Sequence, residues 1–253
     1  MKSCLYIIVA FFWGQSLLDA QIGALSGTKL ASVSYNAILD NDLEFEPTFF
    51  TSRYTAAGAV GAVDTSIYNS SVSWRMSYGL FKNAEIGFTS DGNFESVSMA
   101  FKYAFNEGTR FGYAGMCGYS QMLGNNVVPK NNRIENAFQL GLISTIQFDD
   151  NNSVDLNVQF QQAYTSDQSL PSMIYNVDFA TMALDIRYPL MFGLMYTNQS
   201  GDEDYSDLTL SPGFGIETGE DFALLLFMTQ AVSVSDNASK ETGFGLIVTL
   251  FID

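Results

Sequence analysis

The chain has 253 residues, enough for one large β-domain or two ordinary domains. Its 11 Lys+Arg against 27 Asp+Glu give a formal charge of −16, which argues against a nucleic-acid partner. The absence of histidine removes the Ser-His-Asp triad, the Cys-His pair, His-ligated zinc and the histidine pH switch together. Charged residues make up 15% of the chain, where soluble proteins average roughly 25%. With 47% apolar and 14% aromatic residues, such a chain must meet something other than water.

Residues 1–20 have one early positive charge (Lys2), an apolar core between Leu5 and Trp13, and a small residue, Ala20, before Gln21. This is the layout of a cleavable secretory signal peptide; the alternative is a buried N-terminal helix. Cleavage removes one base, Lys2, and one acid, Asp19, so the net charge is unchanged. Cys4 leaves as well, and it precedes the apolar stretch, whereas a lipoprotein cysteine follows it. Cys117 then stands alone, so the mature chain has no internal disulfide.

Residues 21–41 form an N-terminal periplasmic or plug segment. Its start, from Ile22 to Leu30, is small and mildly apolar and lacks the charge expected of a free tail. Two expectations stand. Part of it folds into a barrel as a plug, with Lys29 near carboxylates of the lumen, or it lies as a loosely ordered tail on the rim.

Residues 42–253 contain no apolar run near the roughly 18 residues that a membrane helix requires. They alternate with period 2 instead. In 43–52, Leu43, Phe45 and Phe49 alternate with Glu44, Glu46 and Thr48; in 71–80, Val72, Trp74, Met76, Tyr78 and Leu80 alternate with small and polar residues. The same pattern runs through 84–89, 97–105, 111–121, 138–148, 154–161, 182–188, 190–197, 208–217, 222–234 and 242–251. The prediction is about twelve two-faced strands, an even number, as bacterial outer-membrane barrels have.

The polar face decides between a lipid-facing barrel and a soluble β-sandwich. It is mostly Ser, Thr, Gly, Ala, Asn and Gln, where a solvated face carries roughly 25–35% charge. Such groups suit a confined lumen. Connections also alternate: 81–83, 106–109, 149–152, Pro189 and 219–220 are tight, while 53–69, 123–134, 165–174 and 199–207 are longer. Short periplasmic turns opposite longer external loops fit the barrel, although the loops at 91–92 and 236–237 are short. Aromatics such as Tyr78, Phe81, Phe105, Phe111, Phe148 and Phe251 lie near the periplasmic turns, and Phe49, Tyr119, Phe138, Tyr164 and Tyr196 near the other end. They are candidate girdles at the membrane interfaces.

Leu43-Glu44-Phe45-Glu46-Pro47, Tyr78-Gly79-Leu80-Phe81-Lys82-Asn83-Ala84-Glu85-Ile86-Gly87, Phe101-Lys102-Tyr103 and the closing Gly243-Phe244-Gly245-Leu246 carry a resemblance. In these runs, and over most of the mature chain, the sequence resembles the Gram-negative outer-membrane barrels related to the meta-pathway phenol-degradation family. The resemblance implies a membrane barrel with a transport role and supplies no catalytic residues. Nothing in the residues points to phenols.

Distance from the turns gives depth, at about 3.3 Å per residue. Glu44, Glu46, Glu85, Lys102, Asp155, Asp185, Arg187 and Glu217 fall on the lumen face in the periplasmic half, with Arg75 nearer the middle. Six carboxylates face three bases. One expectation is a structural network of ion pairs, since buried charges persist only when paired. The other is a cation-favouring constriction in which the glutamates set the field and Arg75, Lys102 and Arg187 position them.

The acidic loop 201–207 lacks the spacing of a calcium hand and reads as solvated. Gly112, Gly115 and Gly118 suggest bending or close packing, and Cys117 shares a lipid-facing side with Tyr113 and Tyr119. The sequence therefore leads to a monomeric, non-enzymatic, all-β up-and-down barrel in the outer membrane. It has no cofactor or metal, and outer-membrane lipid and a small solute are its expected partners. Its expected function is a narrow or gated channel; the alternative is a non-conducting scaffold or adhesion barrel in an envelope complex.

Overall fold

The computed structural model describes residue 25, residue 30, residue 34 and residues 36–38, 40–56, 65–106, 110–123, 134–165, 167–182, 187–200, 205–217, 222–234 and 240–252. Twelve strands make up the fold: β1 (Leu43–Ala56), β2 (Thr65–Phe81), β3 (Ala84–Asp91), β4 (Ser96–Ala104), β5 (Phe111–Met122), β6 (Asn136–Asp149), β7 (Asn152–Tyr164), β8 (Ser169–Thr181), β9 (Leu190–Gln199), β10 (Tyr205–Glu217), β11 (Phe222–Val234) and β12 (Lys240–Ile252). Each pairs antiparallel with its sequence neighbours, and β1 pairs with β12 to close the barrel. The expected all-β up-and-down barrel is the fold observed.

Closure runs from Leu43 opposite Ile252 to Thr55 opposite Lys240. Pairing lapses at Glu46 and Pro47, where proline has no N–H to give the ladder. A side chain covers the gap: the Thr249 hydroxyl donates to Glu46 Oε2 at 3.0 Å.

Because strand side chains alternate, every strand contributes one row to the bore and one to the outside. Much of the inward rows is small or polar: Ser77 on β2, Ala100 and Ala104 on β4, Gln139 on β6, Asn157, Gln159 and Gln161 on β7, and Asn176 on β8 are all buried. Gln139 and Gln161, opposite one another in register, share a hydrogen bond of 2.9 Å. The outward rows are large and apolar, with Leu142 66% and Phe244 60% exposed. Tyr78, Phe81, Phe111 and Phe148 are exposed near one end of the barrel, and Phe49, Tyr119, Phe138, Tyr164 and Tyr196 toward the other, whereas Phe251, expected among the former, is paired with Glu44 and so falls on the inward row of β12.

The expected strand at 182–188 is a correction. β8 occupies Ser169–Thr181 instead, and Arg187 and Tyr188 lie in the connection that leads to β9. The strand follows the longer period-2 row Ser172, Ile174, Asn176, Asp178 and Ala180, which is buried. β8 thus starts at Ser169, inside the connection expected at 165–174, and ends at Thr181, ahead of β9 at Leu190. The long connection expected at 53–69 also shortens, because β1 runs to Ala56 and β2 starts at Thr65.

Two inward aromatics, Phe50 on β1 and Phe227 on β11, stack at 5.9 Å across β12. Glycines on β12 make room for them: a Cβ on Gly245 would stand 2.1 Å from the Phe227 ring, and one on Gly243 would stand 2.2 Å from Phe50. We expect Gly245→Val to destabilise the barrel by about 1–3 kcal/mol through overpacking. Urea unfolding should show much of that loss recovered when Phe227→Ala is added, because the two positions share one space.

Candidate functional site

The bore near the start of β1 and the end of β12 contains a charged cluster built by strand register. Glu46 lies opposite Arg75 across β1 and β2, and Glu44 is its diagonal neighbour. The Nη2 group of Arg75 donates to Glu44 Oε1 and Glu46 Oε2, both at 2.7 Å, with all three side chains buried. On the next pair of strands Glu85 lies opposite Lys102, with Nζ 3.3 Å from Oε1 and neither side chain exposed. Three carboxylates thus meet two bases.

A second cluster lies on β6, β7 and β8. Asp155 faces Asp178 in register, both fully buried, and the Thr145 hydroxyl donates to Asp155. Asp178 was not among the residues singled out from the sequence. The period-2 run Ser172, Asn176, Asp178, Ala180 was the signal for it, and Ile174 on the same buried face masked that signal.

Residues that precede β1 reach both clusters. The Ile38 N–H donates to Glu85 Oε2 at 2.9 Å, and Lys102 Nζ donates to the carbonyls of Asn36 at 2.6 Å and Ser34 at 3.2 Å. The Leu30 N–H donates to Asp178 Oδ2 at 3.1 Å. Leu25 is fully buried in an apolar cluster with Ala100, Ala104, Ala114, Met116 and Ile143. The segment therefore touches inward groups of β3, β4, β5, β6 and β8.

The structure brings Glu44, Glu46, Arg75, Glu85 and Lys102 together, and places Asp155 with Asp178. Glu217, half-buried at the end of β10, borders a cavity of about 100 Å³ with Glu46, Met191, Leu225, Ile247 and Thr249. Arg187 lies exposed in the β8–β9 connection, where its carbonyl accepts the Glu217 N–H at 2.8 Å and its guanidinium stands 5.7 Å from the centre of the Tyr188 ring. Lys29 and Asp185 lie outside the described residues. Among the described residues no group of three or more acidic or cysteine side chains is placed to hold a metal ion.

No family model matches the chain, and no curated protein matches it. Solved structures share its fold. An outer-membrane channel of Pseudomonas putida F1 is 14% identical, with a TM-score of 0.67 over 88% of this chain and 100% of that one. The KdgM porin, solved with disordered oligogalacturonate, is 10% identical, with a TM-score of 0.56 over 81% and 98%. The translocator domain of the autotransporter NalP of Neisseria meningitidis is 12% identical, with a TM-score of 0.53 over 84% and 89%. At these identities the likeness is one of fold.

Removing one partner of a buried ion pair leaves an uncompensated charge. Arg75→Met should cost about 3–5 kcal/mol of barrel stability in urea unfolding. The triple variant Glu44→Gln, Arg75→Met, Glu46→Gln should lose clearly less, since it leaves no orphaned ion.

Proposed function

We propose that the protein is an exported outer-membrane channel for small solutes, narrow and gated by its own N-terminal segment. The observation that supports it best is the hold of Glu85, Lys102 and Asp178 on the backbone of that segment inside the bore. Residues 1–20 act as the signal peptide and are removed. The apolar outer wall meets lipid, and the aromatics near both ends sit at its interfaces. The motifs around Tyr78 to Gly87 resemble those of the meta-pathway phenol-degradation barrels, and this likeness supports a transport role for small solutes.

Within the bore, Glu44, Glu46 and Glu85 set a field that favours cations, while Arg75 and Lys102 hold them in place. Lys29 is assigned to the same segment as a countercharge for the lumen carboxylates. The second reading is a non-conducting scaffold barrel. It is favoured by the complete burial of Glu85, Lys102, Asp155 and Asp178.

Planar-bilayer recording separates the two. Deleting residues 22–34 should raise single-channel conductance several-fold; an unchanged conductance sinks the gate, and a barrel silent with and without the segment favours the scaffold. In a salt gradient, Glu85→Lys should move the reversal potential toward anion preference. No movement would remove the constriction.

A further inference from the structure

Among the described residues, the segment meets the lumen charges through its backbone. In the four bonds to Glu85, Lys102 and Asp178, the groups it contributes are the peptide N–H of Leu30 and Ile38 and the peptide carbonyls of Ser34 and Asn36. Glu85 and Lys102 are cross-strand partners, so a charged acceptor and a charged donor stand side by side, facing groups that every extended peptide carries. Charge-assisted bonds of this kind are roughly twice as strong as neutral ones. They do not depend on which side chain the peptide bears.

Two of the segment's described side chains fill seats in the wall. Leu25 fills the first, among Ala100, Ala104, Ala114, Met116 and Ile143. Leu30 fills the second, over Gly213 on β10, where a Cβ would come within 3.0 Å of both Leu30 methyl groups. The alanines and the glycine leave those volumes open for branched apolar groups. A polyol could use the charged pair, but it has nothing to put in either seat.

We propose that these groups form a binding site for extended peptides with apolar side chains, and that the N-terminal segment occupies it as a built-in pseudo-ligand. The proposal rests on the channel reading for the passage of such peptides, not for their binding. A tethered segment competes at an effective concentration in the millimolar range, so a free peptide binds measurably only once the segment's own side chains are weakened.

The test uses the full chain carrying Leu25→Asp and Leu30→Asp, purified in detergent, with barrel folding checked by the heat-shifted gel band. Fluorescence anisotropy follows a labelled peptide copying residues 22–38. Saturable binding is expected. An unrelated peptide with leucines at the same two positions should compete to within about tenfold, as a site that reads backbone requires. Adding Glu85→Gln with Lys102→Gln, which removes both charges together, should weaken binding by about tenfold or more, as loss of charged hydrogen bonds implies. Gly213→Val, which fills the Leu30 seat without touching a charge, should weaken it as well. Absence of saturable binding, equal competition by an uncharged oligosaccharide, or indifference to all of these substitutions would overturn the site. Bilayer currents of the same proteins separate the two proposals: peptide binding without any current overturns the channel and supports the site, whereas current without peptide binding overturns the site alone.

Discussion

A sheet whose first strand pairs with its last has no edge, and the other features of this protein follow from that closure. Once β1 meets β12, every strand must present one row of side chains to a bore and the other to the surroundings. The bore of a twelve-stranded barrel lies between the eight-stranded size that side chains can fill and the sixteen-stranded size that holds an aqueous channel. Many inward residues are therefore small, polar or paired, and the larger inward groups, such as Phe50 and Phe227, face glycines on the neighbouring strand. Even the lapse in the closing ladder at Pro47 is bridged, by the bond from Thr249 to Glu46.

The same register builds the charged cluster. Glu46 opposite Arg75, and Glu85 opposite Lys102, are consequences of pairing positions before they are ion pairs. Ions out of water persist only where a partner and further hydrogen bonds satisfy them. Arg75 divides one nitrogen between two glutamates. Lys102 has three N–H donors, and two of the acceptors they reach are carbonyls of the segment that precedes β1. The groups that make the bore tolerable for charge are thus the groups that hold the segment.

Much of this was legible in the sequence because alternation is a local property. β4 and β5 could be read almost to the residue, since large outward groups such as Met99, Tyr103, Tyr113 and Tyr119 alternate with mostly small or polar inward ones. β8 could not. Residues 165–174 read as a connection, Ile174 puts an apolar side chain on the buried face, and the short alternation at 182–188 drew the strand away. Asp178 was lost with it. Five of the cluster residues, Glu44, Glu46, Arg75, Glu85 and Lys102, were found because their strands were placed correctly.

The sequence by itself determined the class of the fold, the two faces of most strands and the end of the barrel where charge gathers, because each depends on spacing within a few residues. Only the tertiary structure decided which charges meet, that Asp178 belongs among them, and that Leu25, Leu30 and Ile38 reach strands far away in the chain. Those contacts depend on how strands slide past one another and on where a segment before the first strand turns. Neither is encoded in a local period.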